Sequence, residues 1–94
     1  MKKVVGKPFS NKEVTLDGHH YQNCRFESCS FVYAAADRFL LEENRISADC
    51  RFVFTGKAAD TLGTMKAIYS MGEWGRSQIV STFQEIAPDL KNLH

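Results

Sequence analysis

Imidazoles and thiols are the side chains here with the greatest chemical reach. His19 and His20 follow Asp17-Gly18, and Cys24, Cys29 and Cys50 lie downstream. Neutral imidazole and thiolate together bind zinc, and a thiolate beside imidazole is an activated nucleophile. The spacing argues against both. Adjacent residues on an extended chain point to opposite sides, so His19 and His20 cannot chelate one ion on a strand. The three cysteines lack CxxC spacing, and they fall in a register that points them inward. A thiol buried among apolar groups resists ionisation and behaves as a small hydrophobe. No catalytic, cofactor-binding or metal residue is assigned, and no cofactor is expected.

Other chemistry is thinner still. Glu42-Glu43 are adjacent carboxylates at a bend and read as a solvated pair. Lys57, Lys66 and Arg76 are scattered, with none of the aromatic interleaving of a nucleic-acid surface. Gly72-Glu73-Trp74-Gly75-Arg76 carries two glycines but not the spacing of a phosphate-binding loop. A formal net charge of +1 creates no long-range field toward nucleic acid. No apolar run approaches the roughly 20 residues that span a bilayer. The basic N-terminus is not followed by an apolar stretch of the secretory kind, and the odd cysteine count points to reduced thiols in a cytoplasmic protein.

The elements that carry these residues repeat in fives. Stepping from Phe26 gives Leu16, Tyr21, Phe26, Phe31, Ala36, Leu41 and Ile46, and after one inserted residue Phe52, all apolar. Two residues before each stand Val14, His19, Cys24, Cys29, Ala34, Phe39, Asn44 and Cys50. A period of five is neither helical nor that of a simple strand. It suits a chain wound in square coils of about 20 residues, one side per repeat, with both marked positions facing inward. Stacked coils then pair Leu16 with Ala36, Tyr21 with Leu41, Phe26 with Ile46 and Phe31 with Phe52. The alternative is an antiparallel meander with turns at Asp17-Gly18 and Glu43-Asn44.

Tyr21-Gln22-Asn23-Cys24-Arg25-Phe26-Glu27-Ser28-Cys29-Ser30-Phe31 resembles the pentapeptide-repeat family. That resemblance implies a right-handed quadrilateral parallel β-helix, here of about two coils over residues 14–54. Ala36 at a large-residue position, and His19, Phe39 and Asn44 at small ones, depart from the family pattern. So does the insertion near Asp49. Some members of the family imitate DNA, but that role needs a long acidic rod, which a balanced chain of two coils is not. The whole chain also resembles small uncharacterised proteins of bacterial mobile elements and integron cassettes, which implies no activity.

After Phe54 the pattern becomes helical. Leu62, Met65, Ile68 and Tyr69 share one face of a helix from about Ala59 to Met71, with Asp60 or Thr61 in its first turn and Gly72 as its C-terminal cap. A second helix runs from Trp74 or Gly75 to Ala87, with Ile79, Val80, Phe83 and Ile86 on its apolar face and Pro88 as its stop. The expected architecture is α+β in a single domain of 94 residues, with residues 57–88 a helical cap on one end of the coil. The residues before Val14 look too thin in apolar content to cover the other end. A homo-oligomer follows, most simply a two-fold dimer, with Trp74 and Phe83 as interface candidates. The functional expectation is a non-catalytic protein-binding or self-associating adaptor, with a protein partner possible and neither nucleic acid nor membrane expected. The alternative is a small enzyme with a His/Cys or His/carboxylate site at a subunit interface.

Overall fold

A computed structural model describes residues 1–88. Its contacts divide the chain into two compact units, Met1–Ala59 and Asp60–His94.

The first unit is a parallel β-solenoid, which excludes the antiparallel meander. Nine short strands arrive in threes: β1 (Lys2–Val5), β2 (Pro8–Ser10) and β3 (Glu13–Thr15) make the first coil. β4 (His19–Gln22), β5 (Arg25–Glu27) and β6 (Ser30–Tyr33) make the second, and β7 (Leu40–Glu42), β8 (Arg45–Ile46) and β9 (Arg51–Phe54) the third. Three parallel sheets run up the sides, ordered β1-β4-β7, β2-β5-β8 and β3-β6-β9. The stacking expected for Tyr21 with Leu41, Phe26 with Ile46 and Phe31 with Phe52 is present in these ladders.

Two expectations are corrected. The solenoid has about three coils rather than two, because residues 2–15 form a complete first coil. And Leu16 does not stack on Ala36: its N–H donates to the Val32 carbonyl at 2.9 Å, while Ala36 lies exposed in a loop. Both errors have one cause. Lys2 pairs with His19 across 17 residues, whereas His20 pairs with Leu40 across 20 and Ser30 with Arg51 across 21. The fourth side of the first coil is only the Asp17-Gly18 turn, so counting in fives loses the register there.

The longer loop of the second coil is tied back to that turn. The Asp17 carboxylate accepts hydrogen bonds from the backbone N–H groups of Ala34 (2.9 Å), Ala36 (2.9 Å) and Asp37 (3.2 Å). These donors, Ala34 first, hold its carboxyl below the ordinary range despite an opposing desolvation effect. The inserted residue of the third coil is used similarly. Asp49 accepts from the hydroxyls of Ser28 and Ser47 and so is also held low.

The core is the inward column of the first two coils: Val14, Leu16, Tyr21, Cys24, Phe26, Cys29 and Phe31. Phe26 is 0% exposed. Its ring stacks on Phe9 at 5.1 Å between centroids and meets Tyr21 and Phe31 edge-on at 5.5 and 4.8 Å. Asn44, out of pattern at a small-residue position, replaces packing with hydrogen bonds. Its Oδ1 accepts from the Cys24 N–H at 2.8 Å and its Nδ2 donates to the Tyr21 carbonyl at 3.0 Å.

Two helices follow, α1 (Gly56–Tyr69) and α2 (Glu73–Ile86). Helix α1 starts three residues earlier than its apolar spacing indicates, so Asp60 falls beyond its first turn, which holds no acidic residue. Gly72, with φ of 91°, serves as the N-cap of α2 rather than closing α1. Gly75 has a different task. A Cβ there would lie 1.8 Å from the Ile68 carbonyl oxygen, so only glycine lets the start of α2 approach the end of α1 so closely.

Candidate interaction surfaces

The histidines separate as strand geometry requires. On β4, His19 turns toward the inner face and its ring stacks on Tyr21 at 5.5 Å, with Nδ1 2.8 Å from the Asp17 carbonyl oxygen. His20 turns outward, and its Nε2 lies 2.6 Å from Glu42 Oε1 on the neighbouring strand, out of hydrogen-bond alignment. This His/carboxylate contact was not singled out in the sequence. The 20-residue stacking offset places β7 beside β4, and that offset was the one signal able to find it.

The cysteines are spent on structure. Cys24 and Cys29 are buried, and their thiols face the carbonyls of Val4, Gln22 and Glu27 at 3.4–3.5 Å. Cys50 departs from expectation in being only half-buried, with Sγ against the Phe26 carbonyl and the Ser47 hydroxyl. All three are free. Cys29 and Cys50 are ladder neighbours, the Cys29 N–H lying 3.4 Å from Cys50 Sγ. Among the described residues, no three His, Cys, Asp or Glu side chains converge on one point.

The second unit offers an apolar groove instead. Leu62, Met65 and Tyr69 of α1 face Ile79, Val80 and Phe83 of α2 across an open volume of about 330 Å³, with Lys66 at its rim. The sequence spacing put each of these apolar residues on the correct helix face. What it could not show is that the seam stays open, with Phe83 41% exposed. Trp74 is 62% exposed at the start of α2 and does not line the groove. Arg76 lies over the Tyr69 ring at 5.6 Å, a cation–π contact that links the helices beside the groove.

The fold thus defines a short β-solenoid with a helical hairpin. No protein-family model matches the chain, and no match was found among curated proteins or solved structures. No helix among the described residues is long and apolar enough to cross a membrane.

Proposed function

We propose that this chain is a non-catalytic, self-associating binding module whose helical hairpin docks on a second copy. The observation that carries the reading is the open groove around Phe83. Two helices alone bury one seam, and a second hairpin laid across it completes the four-helix arrangement that helices of this length favour. A two-fold dimer presents the same groove from each side and leaves no apolar seam unpaired. Phe83 lies where such a contact would be most desolvated, and Trp74 adds an anchor near the turn. Kinship with pentapeptide-repeat proteins, an origin on a bacterial mobile element and a cytoplasmic location belong to the same proposal. The five-residue spacing of Tyr21, Phe26 and Phe31 on successive sides supports the first, and the three free thiols support the last.

The test is hydrodynamic. Phe83→Glu removes the exposed ring and places a carboxylate in the groove, and should abolish hairpin association, because a charge is costly to bury even with Lys66 at the rim. Trp74→Glu should weaken it to a lesser degree. An unchanged sedimentation profile for Phe83→Glu across the concentration range would refute the hairpin interface.

A further inference from the structure

Cys29 and Cys50 occupy the same place on successive coils. Each stands one residue before a strand, Cys29 before β6 and Cys50 before β9, and the pairing of Ser30 with Arg51 makes them neighbours up the stack. The residue inserted near Asp49 is what aligns them. At the offset of 20 found on the two preceding sides, Cys29 would lie under Asp49, and the offset of 21 on this side brings Cys50 over it instead. Parallel strands lie about 4.8 Å apart, inside the range of about 4.4–6.8 Å between Cα atoms that a disulfide bridges. Hydrogen bonds fix that separation from both sides. The Arg51 N–H donates to the Cys29 carbonyl at 2.9 Å, and the Ser28 hydroxyl donates to the Asp49 carboxylate. The Ser28 N–H donates to the Ser47 hydroxyl at 3.1 Å, and that hydroxyl lies 3.4 Å from Cys50 Sγ. The sulfur itself leans onto the second coil, 3.4 Å from the Cys29 nitrogen.

Cys24 has no such neighbour. The Arg25–Arg45 and Pro8–Arg25 pairs put Asn44 above it and Lys7 below it, and its Sγ faces the Val4 and Gln22 carbonyls. One pair of thiols is matched and the third is isolated. Access is divided within the matched pair. Cys29 is 1% exposed, whereas Cys50 is only half-buried. A reagent in solution can therefore meet Cys50, and Cys29 has only to meet Cys50.

We propose that Cys29 and Cys50 form a site of reversible oxidation, whose oxidant is a low-molecular-weight disulfide of the glutathione class. Cys50 gives its proton to solvent and its sulfur attacks one sulfur of the oxidant. The oxidant's S–S bond breaks, and its first thiol leaves after taking a proton from solvent. Cys29 then loses its proton and attacks Cys50 Sγ of the mixed disulfide, and the second small thiol leaves in the same way. Two protein thiols are oxidised by two electrons, and one small disulfide is reduced to two thiols. The motion required is a rotation of the Cys29 side chain away from the Glu27 carbonyl, because the backbone already stands at bridging distance. The consequence falls on the third coil. The bond closes a ring across 21 residues that contains β7 and β8, and it ties the start of β9 to the coil below. Such a ring restricts the unfolded chain, so the oxidised protein is the more stable form. This site is independent of the hairpin and uses none of its residues.

The experiment counts thiols released from an aromatic disulfide reagent by the folded chain. The unmodified protein and Cys24→Ala should each release two equivalents, the second following closely on the first, and should end with no adduct and two hydrogens fewer. Cys29→Ala should stop at one rapid equivalent and keep the adduct on Cys50. Cys50→Ala should release none at that rate. A second readout needs no variant to fold. The unmodified chain is equilibrated with oxidised glutathione, cleaved between the two cysteines and mapped without reduction, and the Cys29 and Cys50 peptides should travel as one linked species. Its Tm should rise on oxidation and return on adding reductant. A lasting adduct on Cys50 of the unmodified chain, a bond that includes Cys24, a bond between two chains, or a Tm that falls on oxidation would overturn the proposal.

Discussion

Replacing Phe26 with alanine removes the centre of the aromatic column. The ring is fully enclosed and touches three other rings, Phe9 below, Tyr21 beside it and Phe31 on the next side. Deleting a buried phenyl costs about 3–5 kcal/mol, the transfer of its surface plus the cavity left behind. At about 0.05–0.15 kcal/mol per residue, a unit of 59 residues has roughly 3–9 kcal/mol of stability to lose. Phe26→Ala therefore leaves a solenoid that is marginal or unfolded at room temperature. Phe52→Ala, in the same repeat position but half-exposed, should cost about half as much, roughly 1.5–2.5 kcal/mol. Arg25→Ala, on the outward side, should cost less than about 0.5 kcal/mol. Urea titrations followed by far-UV circular dichroism, at low concentration to keep the chain monomeric, give all three values. Phe52→Ala as damaging as Phe26→Ala would refute the half-exposed setting of Phe52. Equal effects at Arg25 and Phe26 would refute the inward register itself.

Three further outcomes are expected. In the native state Cys50 should react with an aromatic disulfide reagent well before Cys24 or Cys29, since it alone is only half-buried; peptide mapping showing Cys24 labelled first would contradict the packing. Asn44→Ala strands the Cys24 N–H and the Tyr21 carbonyl, at a cost of about 1–3 kcal/mol by denaturant titration, and a loss below about 0.5 kcal/mol would show that water replaces the side chain. Asp17 and Asp49 have carboxyls held below their unfolded values, so their stabilisation is present at neutral pH and is lost as pH falls below about 4. Asp17→Ala should lower Tm at neutral pH and flatten the acid dependence, and a melting curve with unchanged acid slope would exclude the carboxylate as the loop's anchor.

The sequence showed the coil where its side chains are large and its sides equal. Tyr21, Phe26 and Phe31 sit five apart on three consecutive sides, and their upper neighbours follow at nearly constant offset. The first coil was hidden by physics of a different kind. Its small-residue positions hold Lys2, Lys7 and Lys12, because an end coil has solvent rather than another coil on one side, and its short fourth side breaks the count. Helix faces were legible from the spacing of Leu62, Met65 and Tyr69. Helix ends were not, since α1 begins directly from the last strand and Gly72 serves the following helix. The His20–Glu42 contact and the open seam beside Phe83 depend on the distance between elements, which periodicity does not encode.

The unequal coils have a practical consequence. Between the first and second coils the stacking offset is 17 residues on every side, and between the second and third it rises to 20 or 21. The extra length is carried by Ala34–Asp37 and by the corner at Asp49, while the strands stay in register. Circumference and ladder are thus separate variables in this fold. A foreign peptide spliced between Ala35 and Ala36 would lengthen a side that is already irregular and exposed, and the Asp17 carboxylate would still hold the loop base through Ala34. The solenoid is in that sense a display frame, able to carry a grafted epitope at a fixed height along its axis.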